Sequence, residues 1–340
     1  MFRILLMAPS FFGYRRRVSD ELVRQGHQVE RIDDRPSEGV AFKSLGRIDY
    51  RLVDGLIEAY ARRVCEQVRD GAYDQFLYMG GMSFCFTREQ FARIREAGEA
   101  RGTRFVAYLW DALSNCQRFA ECADLFDEVM SFEPGDCESG EISLRPLFYG
   151  DAYQGLPVGD EASFDYDACF IGSVHQPSKF EAVSSICQSL RESGLRVFTY
   201  FYMPSTSAEL LRKATNPAYR GVTFEHESIS AEQVSDIYAR SVAIIDSPQG
   251  HQRGLTMRTL ETLGAKRKLI TANADVRNYD FYKYGNVAVW DESRGIDAAF
   301  FSEPYQELPK EIYDGYSIAS FVRSLVGEGE PYSGYEKGGR

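Results

Sequence analysis

The sequence predicts an α/β protein built from two doubly wound domains in succession, facing each other across a cleft. Three observations carry this expectation. Strands alternate with amphipathic helices from the N-terminus, a polar glycine-rich stretch interrupts the alternation near residue 150, and the same alternation then restarts. With 340 residues, 44% hydrophobic and 26% charged, the chain can build two cores and has an ordinary globular composition.

The elements follow in order. Residues 2–7 (FRILLM) are apolar and stop before Pro9. They have no basic lead-in and no small-residue cleavage pattern, so they read as a first strand rather than a signal peptide. Residues 14–25 predict a helix closed by Gly26, and residues 27–32 a second strand, which together make a right-handed parallel crossover. A long helix over 48–70, a strand over 75–79, a helix over 88–101 and a strand over 104–109 continue the pattern, with short elements to residue 148. Gly150, Gly155, Pro157 and Gly159 then fall in a polar, acidic stretch that marks a domain boundary.

Beyond it, strands are expected at 166–171, 196–202, 222–224, 242–245 and 268–271. Helices are expected at 179–191, 208–214, 231–240, 256–263 and 312–326. The domains are therefore 1–150 and 166–326, joined by a linker at 151–165. Residues 327–340 (GEGEPYSGYEKGGR) are too polar and glycine-rich to pack, and predict a disordered tail. Two Rossmann-like domains of this kind hold a ligand at the carboxyl ends of their strands, in the cleft between them.

The net charge of −11 is concentrated: residues 121–167 hold thirteen acids and a single base, Arg145. Non-specific nucleic-acid binding is disfavoured, because it needs clustered Lys and Arg. A small anion held by a few arginines is compatible with this balance. The seven cysteines include no CxxC pair and read as buried, reduced thiols of a cytoplasmic protein. The four histidines show no metal-ligand spacing, so no metal and no cofactor are expected. No apolar run approaches the ~20 residues of a membrane span. Peripheral contact with an inner membrane through the basic stretches 15–17 or 47–63 stays open.

The strongest chemical signal is "DSPQGHQRGLTMRTLE", residues 246–261. A strand runs into a loop with Pro248, Gly250 and Gly254 and then into a helix, whose N-terminal amides and dipole suit a phosphate. Arg253 or Arg258 can supply a bidentate phosphate contact. Glu261 can accept both hydroxyls of a ribose. A second signal is "FIGSVHQPSKF", residues 170–180, where Gly172 and Ser173 allow backbone approach to a pyrophosphate, Lys179 can neutralise it and His175 can donate to the leaving group. No GxGxxG fingerprint occurs, which argues against a nicotinamide enzyme. In the first domain, Asp111 follows a strand and can deprotonate an acceptor hydroxyl; its structural alternative is to cap the next short helix. The loop "PSFFGYRRR", residues 9–17, offers Phe12 and Tyr14 for stacking on a sugar and Arg15 for a phosphate. Asp165 and Asp167 spell DxD, but at the amino end of a strand, where a metal site is not expected.

The run from 226 to 273, with "HESISAEQVSDIYARS", "VAIIDSP" and "QRGLTMRTLETLGAKRKLITA", resembles the second domain of GT-B glycosyltransferases. Across residues 1–325, "YLWDALSN", "YDACFIGSVHQPSKF" and "NYDFY" are similar to segments of glycosyltransferases from bacterial capsule and lipopolysaccharide loci. The resemblance implies a GT-B fold and transfer of a sugar from a nucleotide-diphosphate donor to a saccharide or lipid-linked acceptor, without a metal. It places the donor at Gly172, Ser173, Lys179, Arg258 and Glu261, with Gln252, Gly254, Leu255 and Thr256 supplying the loop. It departs from the pattern at Arg253, where many retaining members carry a glutamate, so the stereochemistry stays open. Nucleotide-sugar epimerisation or pyruvyl transfer on the same scaffold, and a non-catalytic partner of a polysaccharide synthase, are the competing readings.

Overall fold

A computed structural model describes the chain except residues 11, 12, 38, 40, 41, 43, 45–48, 158–163, 175, 249, 251, 339 and 340. It contains two compact α/β units. The first comprises residues 1–146 and 318–332, the second 147–317 and 333–340.

The first unit holds a six-stranded sheet of β1 (Arg3–Met7), β2 (Gln28–Ile32), β3 (Gln75–Gly80), β4 (Arg104–Leu109), β5 (Glu128–Ser131) and β6 (Ser143–Leu144). The strand order is β2-β1-β3-β4-β5-β6, and every pair is parallel. All of β3 and nearly all of β1 and β4 are buried, because helices cover both faces of a parallel sheet. The helix Arg88–Glu99 starts on a capping box between Thr87 and Gln90 and lays Phe91 and Ile94 into the core. Under it, the Phe76 and Phe105 rings stack at 4.9 Å, and those of Phe91 and Phe126 at 4.8 Å.

The second unit holds β7 (Tyr166–Ser173), β8 (Val197–Tyr202), β9 (Ser241–Asp246), β10 (Lys268–Thr271) and β11 (Val287–Val289), ordered β11-β10-β9-β7-β8 and again all parallel. Its core is aromatic as well, with Phe180 stacked on Tyr219 at 4.3 Å. In both sheets the chain first winds one way, then returns past its starting strand and winds the other way. The turning points lie between β1 and β3 and between β7 and β9. Right-handed crossovers in opposite directions put their helices on opposite faces, so the loops diverge there and leave a crevice.

Three expectations need correction. Residues 222–224 do not form a strand: after the left-handed turn at Gly221, the backbone meets β8 in an isolated bridge at the following residue, Glu225 to Tyr202, and Phe224 packs its ring on Phe201. The helix expected over 312–326 is two helices, Lys310–Gly315 and Ile318–Leu325. Gly315 is a poor helix former, and the Tyr316 carbonyl accepts from the Tyr149 amide at 2.9 Å instead of continuing the helical ladder. The second of these helices belongs to the first unit, not the second: it packs on the helix Tyr14–Arg24, Gln75 donates to the Leu325 carbonyl at 2.7 Å, and Phe321 meets Tyr108 edge-on.

The tail also differs from the expectation. Tyr335 forms an antiparallel bridge with Tyr279, and the Glu336 amide donates to the Asn278 carbonyl at 2.8 Å, so a polar segment is ordered by pairing rather than by burial.

The helix Met257–Gly264 ends against Tyr149, where a Cβ on Gly264 would lie 2.5 Å from the ring. Gly264→Ala is expected to cost about 1–3 kcal/mol through overpacking. Chemical denaturation should show the second unit's transition at a lower midpoint.

Candidate functional site

The crevice between β7 and β9 is organised around Asp246, the last residue of β9, which is fully buried. Its carboxylate accepts from Arg258 Nη1 at 2.8 Å, from the Thr256 hydroxyl at 2.9 Å and from the Thr259 hydroxyl at 3.0 Å. Thr256 also caps the helix Met257–Gly264, accepting from the Thr259 amide. One buried carboxylate thus fixes the start of that helix.

Arg258 crosses to the neighbouring strand. Its Nε and Nη2 donate to the Ile171 carbonyl of β7 at 3.1 and 2.7 Å, and the guanidinium lies over the Phe170 ring. Burial works against its charge, but Asp246, Tyr238 and Glu261 outweigh that and raise its pKa. A guanidinium has five N–H donors, and three are used here, leaving two for a ligand. Gly172 makes this crossing possible: a Cβ there would sit 2.2 Å from Arg258 Nη2. The glycine is needed to admit the arginine side chain.

Lys179 lies in the first turn of the helix Pro177–Glu192, part-buried and with no hydrogen bond or ion pair to any described residue. Burial and the nearby Arg258 charge push its pKa down to about 8, partly offset by Asp246. Asp246 is bonded to Arg258, so Lys179 lies part-buried without a carboxylate bonded to it, and an anion beside it would offset the cost of its burial. Ser173 is the last residue of β7. Glu261 is one turn on from Arg258, part-buried and near enough to favour its charge. A helix leaves its first amides without partners in the helix, and Thr256 takes only one of them.

The loop before the helix is internally tied. Gln252 donates to the Gly254 carbonyl at 2.9 Å, and Leu255 is buried, so its side chain serves the core and only its backbone is available to a ligand. Arg253 is held by Asp275 at 3.1 Å and by the Tyr335 hydroxyl at 2.9 Å. Of the two candidate arginines, Arg258 faces the crevice.

In the first unit, Asp111 follows β4 and does not cap the next helix. It accepts from the Met82 amide at 3.1 Å and packs on Gly81, where a Cβ would be 2.3 Å from its oxygen. Burial raises its pKa against the opposing Met82 hydrogen bond, which makes it a better proton acceptor than an exposed carboxylate. Gly81 and Met82 line a cavity of about 500 Å³ together with Tyr50, Arg51, Asn115, Gln117 and Arg118. Tyr14 lies against Trp110 with ring centroids 6.5 Å apart, so one expected stacking residue is near Asp111 in the chain fold. Arg15 is engaged elsewhere: it donates to the Ala8 carbonyl at 3.0 Å and pairs with Asp33, tying the ends of β1 and β2. Phe12 and His175 lie outside the described residues. Asp165 and Asp167 pair with Arg240 and Arg196, and among the described residues no cluster of His, Cys, Asp and Glu could hold a metal. No described helix is long and apolar enough to cross a membrane.

No protein-family model and no curated protein sequence matches this chain. Solved structures do. The catalytic domain of starch synthase IV from Arabidopsis thaliana, bound to ADP and acarbose, is similar with a TM-score of 0.56 at 10% identity, covering 96% of this chain and 98% of that one. The fold is of the GT-B type. UDP-GlcNAc 2-epimerase from Neisseria meningitidis, bound to UDP-GlcNAc, is similar with a TM-score of 0.51 at 9% identity, covering 96% and 98%. S. aureus MnaA in complex with UDP gives 0.50 at 9%, covering 98% and 100%.

Sequence reasoning did not single out Asp246, Thr259 or the cavity beside Asp111. An aspartate ending an apolar strand twelve residues before an arginine was the available signal for the first.

Arg258→Met should leave the Asp246 carboxylate buried and uncompensated, costing about 3–5 kcal/mol. The double variant Arg258→Met/Asp246→Asn should cost less than the sum of the two single changes in denaturation experiments. Lys179 behaves oppositely. Its folded-state pKa is below the usual lysine value of 10.5, so its charge opposes folding at neutral pH. Lys179→Met is expected to raise the melting temperature at pH 7, with the gain shrinking as pH rises from about 8 to 10.5, as calorimetry at several pH values would show.

Proposed function

We propose that this protein is a metal-independent glycosyltransferase that moves a sugar from a nucleoside-diphosphate donor to a saccharide or lipid-linked acceptor. The observation that carries the reading is the crevice between β7 and β9, where Lys179, in the first turn of one helix, lies within electrostatic reach of Arg258, in the first turn of another, and Arg258 keeps two N–H donors unused. A part-buried, unneutralised lysine costs stability, and a diphosphate is the ligand that repays it. Glu261, close to Arg258, is suited to the ribose hydroxyls. The ADP bound to the similar starch synthase and the UDP bound to the similar MnaA support a nucleotide donor. The resemblance to capsule and lipopolysaccharide enzymes supports a role in bacterial surface polysaccharide assembly, with the protein in the cytoplasm or peripheral at the inner membrane.

In this reading the acceptor occupies the cavity beside Asp111. The acceptor hydroxyl attacks the anomeric carbon while Asp111 takes its proton, and the bond from that carbon to the diphosphate oxygen breaks. Lys179, Arg258 and the helix amides stabilise the charge that develops on the departing diphosphate. The reaction requires the acceptor on the first unit to reach the donor on the second.

A second reading, epimerisation of a nucleotide sugar, is favoured by the UDP-GlcNAc 2-epimerase among the similar structures. It needs no acceptor, so the two readings separate cleanly in the same assay.

One of UDP, dTDP, GDP, ADP and CMP, at 100 times its Kd, is expected to stabilise the protein by about 2.7 kcal/mol, a rise of roughly 5–10 °C in melting temperature, without added Mg²⁺. A flat panel would instead favour a non-catalytic partner. With the matching nucleotide sugar, transfer should depend on acceptor, and Asp111→Asn should lower kcat by about 10²–10⁴ while leaving nucleotide Kd unchanged. Interconversion of two nucleotide sugars without acceptor would establish the epimerase instead.

A further inference from the structure

The loop that delivers the helix Met257–Gly264 to the crevice is anchored at both ends. On the helix side, the Thr256 hydroxyl bonds to Asp246. On the other side, the anchor is Arg253, and it depends on a residue 82 positions away in the chain. Arg253 Nη2 donates to the Tyr335 hydroxyl at 2.9 Å, and Arg253 Nε donates to Asp275 at 3.1 Å. The same tyrosine hydroxyl donates to the other Asp275 oxygen at 3.1 Å, closing a three-residue ring of hydrogen bonds. The backbone is gripped as well: Asn273 donates to the Arg253 carbonyl at 2.9 Å and reaches the Gly254 carbonyl at 3.5 Å.

Tyr335 is itself held in place. Its ring meets Tyr279 edge-on at 5.0 Å, and the backbone on either side pairs with residues 278–280, through the Asp280 amide to the Gly334 carbonyl and the Glu336 amide to the Asn278 carbonyl, both 2.8 Å. A polar, glycine-rich segment with little apolar surface to bury is thus ordered by a bridge whose inward-facing side chain reaches the loop.

We propose that Tyr335 is a positioning residue for diphosphate binding: through Arg253 and Asp275 it holds residues 252–255 so that the loop backbone and the first turn of the following helix are presented to the phosphates. This rests on the donor-site reading above. Tyr335 touches no ligand in that reading; it acts by removing the loop's freedom before binding, so the ordering cost is already met when the donor arrives.

The test is Tyr335→Phe, which keeps the ring against Tyr279 and removes only the hydroxyl, alongside a chain ending at residue 332. The probes are UDP and inorganic pyrophosphate, the latter reporting on the phosphate subsite whatever base the donor carries. Both variants are expected to raise Kd about tenfold, because the cost of ordering residues 252–255 then falls on binding. Amide exchange at residues 252–255 should quicken while the core strands stay protected and the melting temperature of Tyr335→Phe stays within about 2 °C of the parent. Lys179→Met is the control in the same assay. If it weakens binding while Tyr335→Phe leaves Kd within twofold and exchange unchanged, the positioning role is wrong and the donor site stands. If neither variant alters binding of either probe, the donor-site reading falls and the positioning role with it.

Discussion

The buried ion pair between Arg258 and Asp246 is the constraint on which the second unit's crevice depends. It joins the ends of β7 and β9, where the winding direction reverses, and the same carboxylate fixes the first turn of the next helix through Thr256 and Thr259. A charge buried this deeply persists only when paired and hydrogen-bonded, so the loop, the helix start and the glycine at 172 must all agree with it. The geometry is rigid because its alternatives are expensive.

That arrangement divides the labour among the basic residues. Arg258 spends most of its donors on the protein and keeps two, Arg253 spends its guanidinium on Asp275 and Tyr335, and Lys179 is left part-buried with no carboxylate of its own. A stabilising network thus encloses one destabilised cation. Sites that bind anions commonly accept such a local cost, because the ligand supplies the missing countercharge. In the first unit, Asp111 shows the mirrored logic: burial makes its ionised form less favourable, which suits a group meant to receive a proton.

The elements with strong periodicity were legible in the sequence. The strands at Arg104–Leu109 and Lys268–Thr271 and the helix Tyr14–Arg24 follow from apolar runs and from a glycine stop. Short strands such as Ser143–Leu144 were not, since two residues carry no period, and their pairing is set by a neighbour already in place. The split after Gly315 and the assignment of Ile318–Leu325 to the first unit depend on Tyr149, Tyr108 and Gln75, far away in the chain.

For the site, the residues by themselves identified the loop from Asp246 to Glu261, Lys179 at a helix start and Asp111 at a strand end, because strand-loop-helix punctuation places such groups at the carboxyl edge of a parallel sheet. Only the tertiary structure decided what each does there. Whether an arginine is free or spent depends on partners 87 residues away, as with Ile171 for Arg258. Arg15 and Arg258 look alike in sequence, yet Arg15 ties two strand ends together and Arg258 retains donors in a crevice. Local sequence determines which groups reach the edge of the sheet; hydrogen-bond accounting across distant segments determines which of them remain available to a ligand.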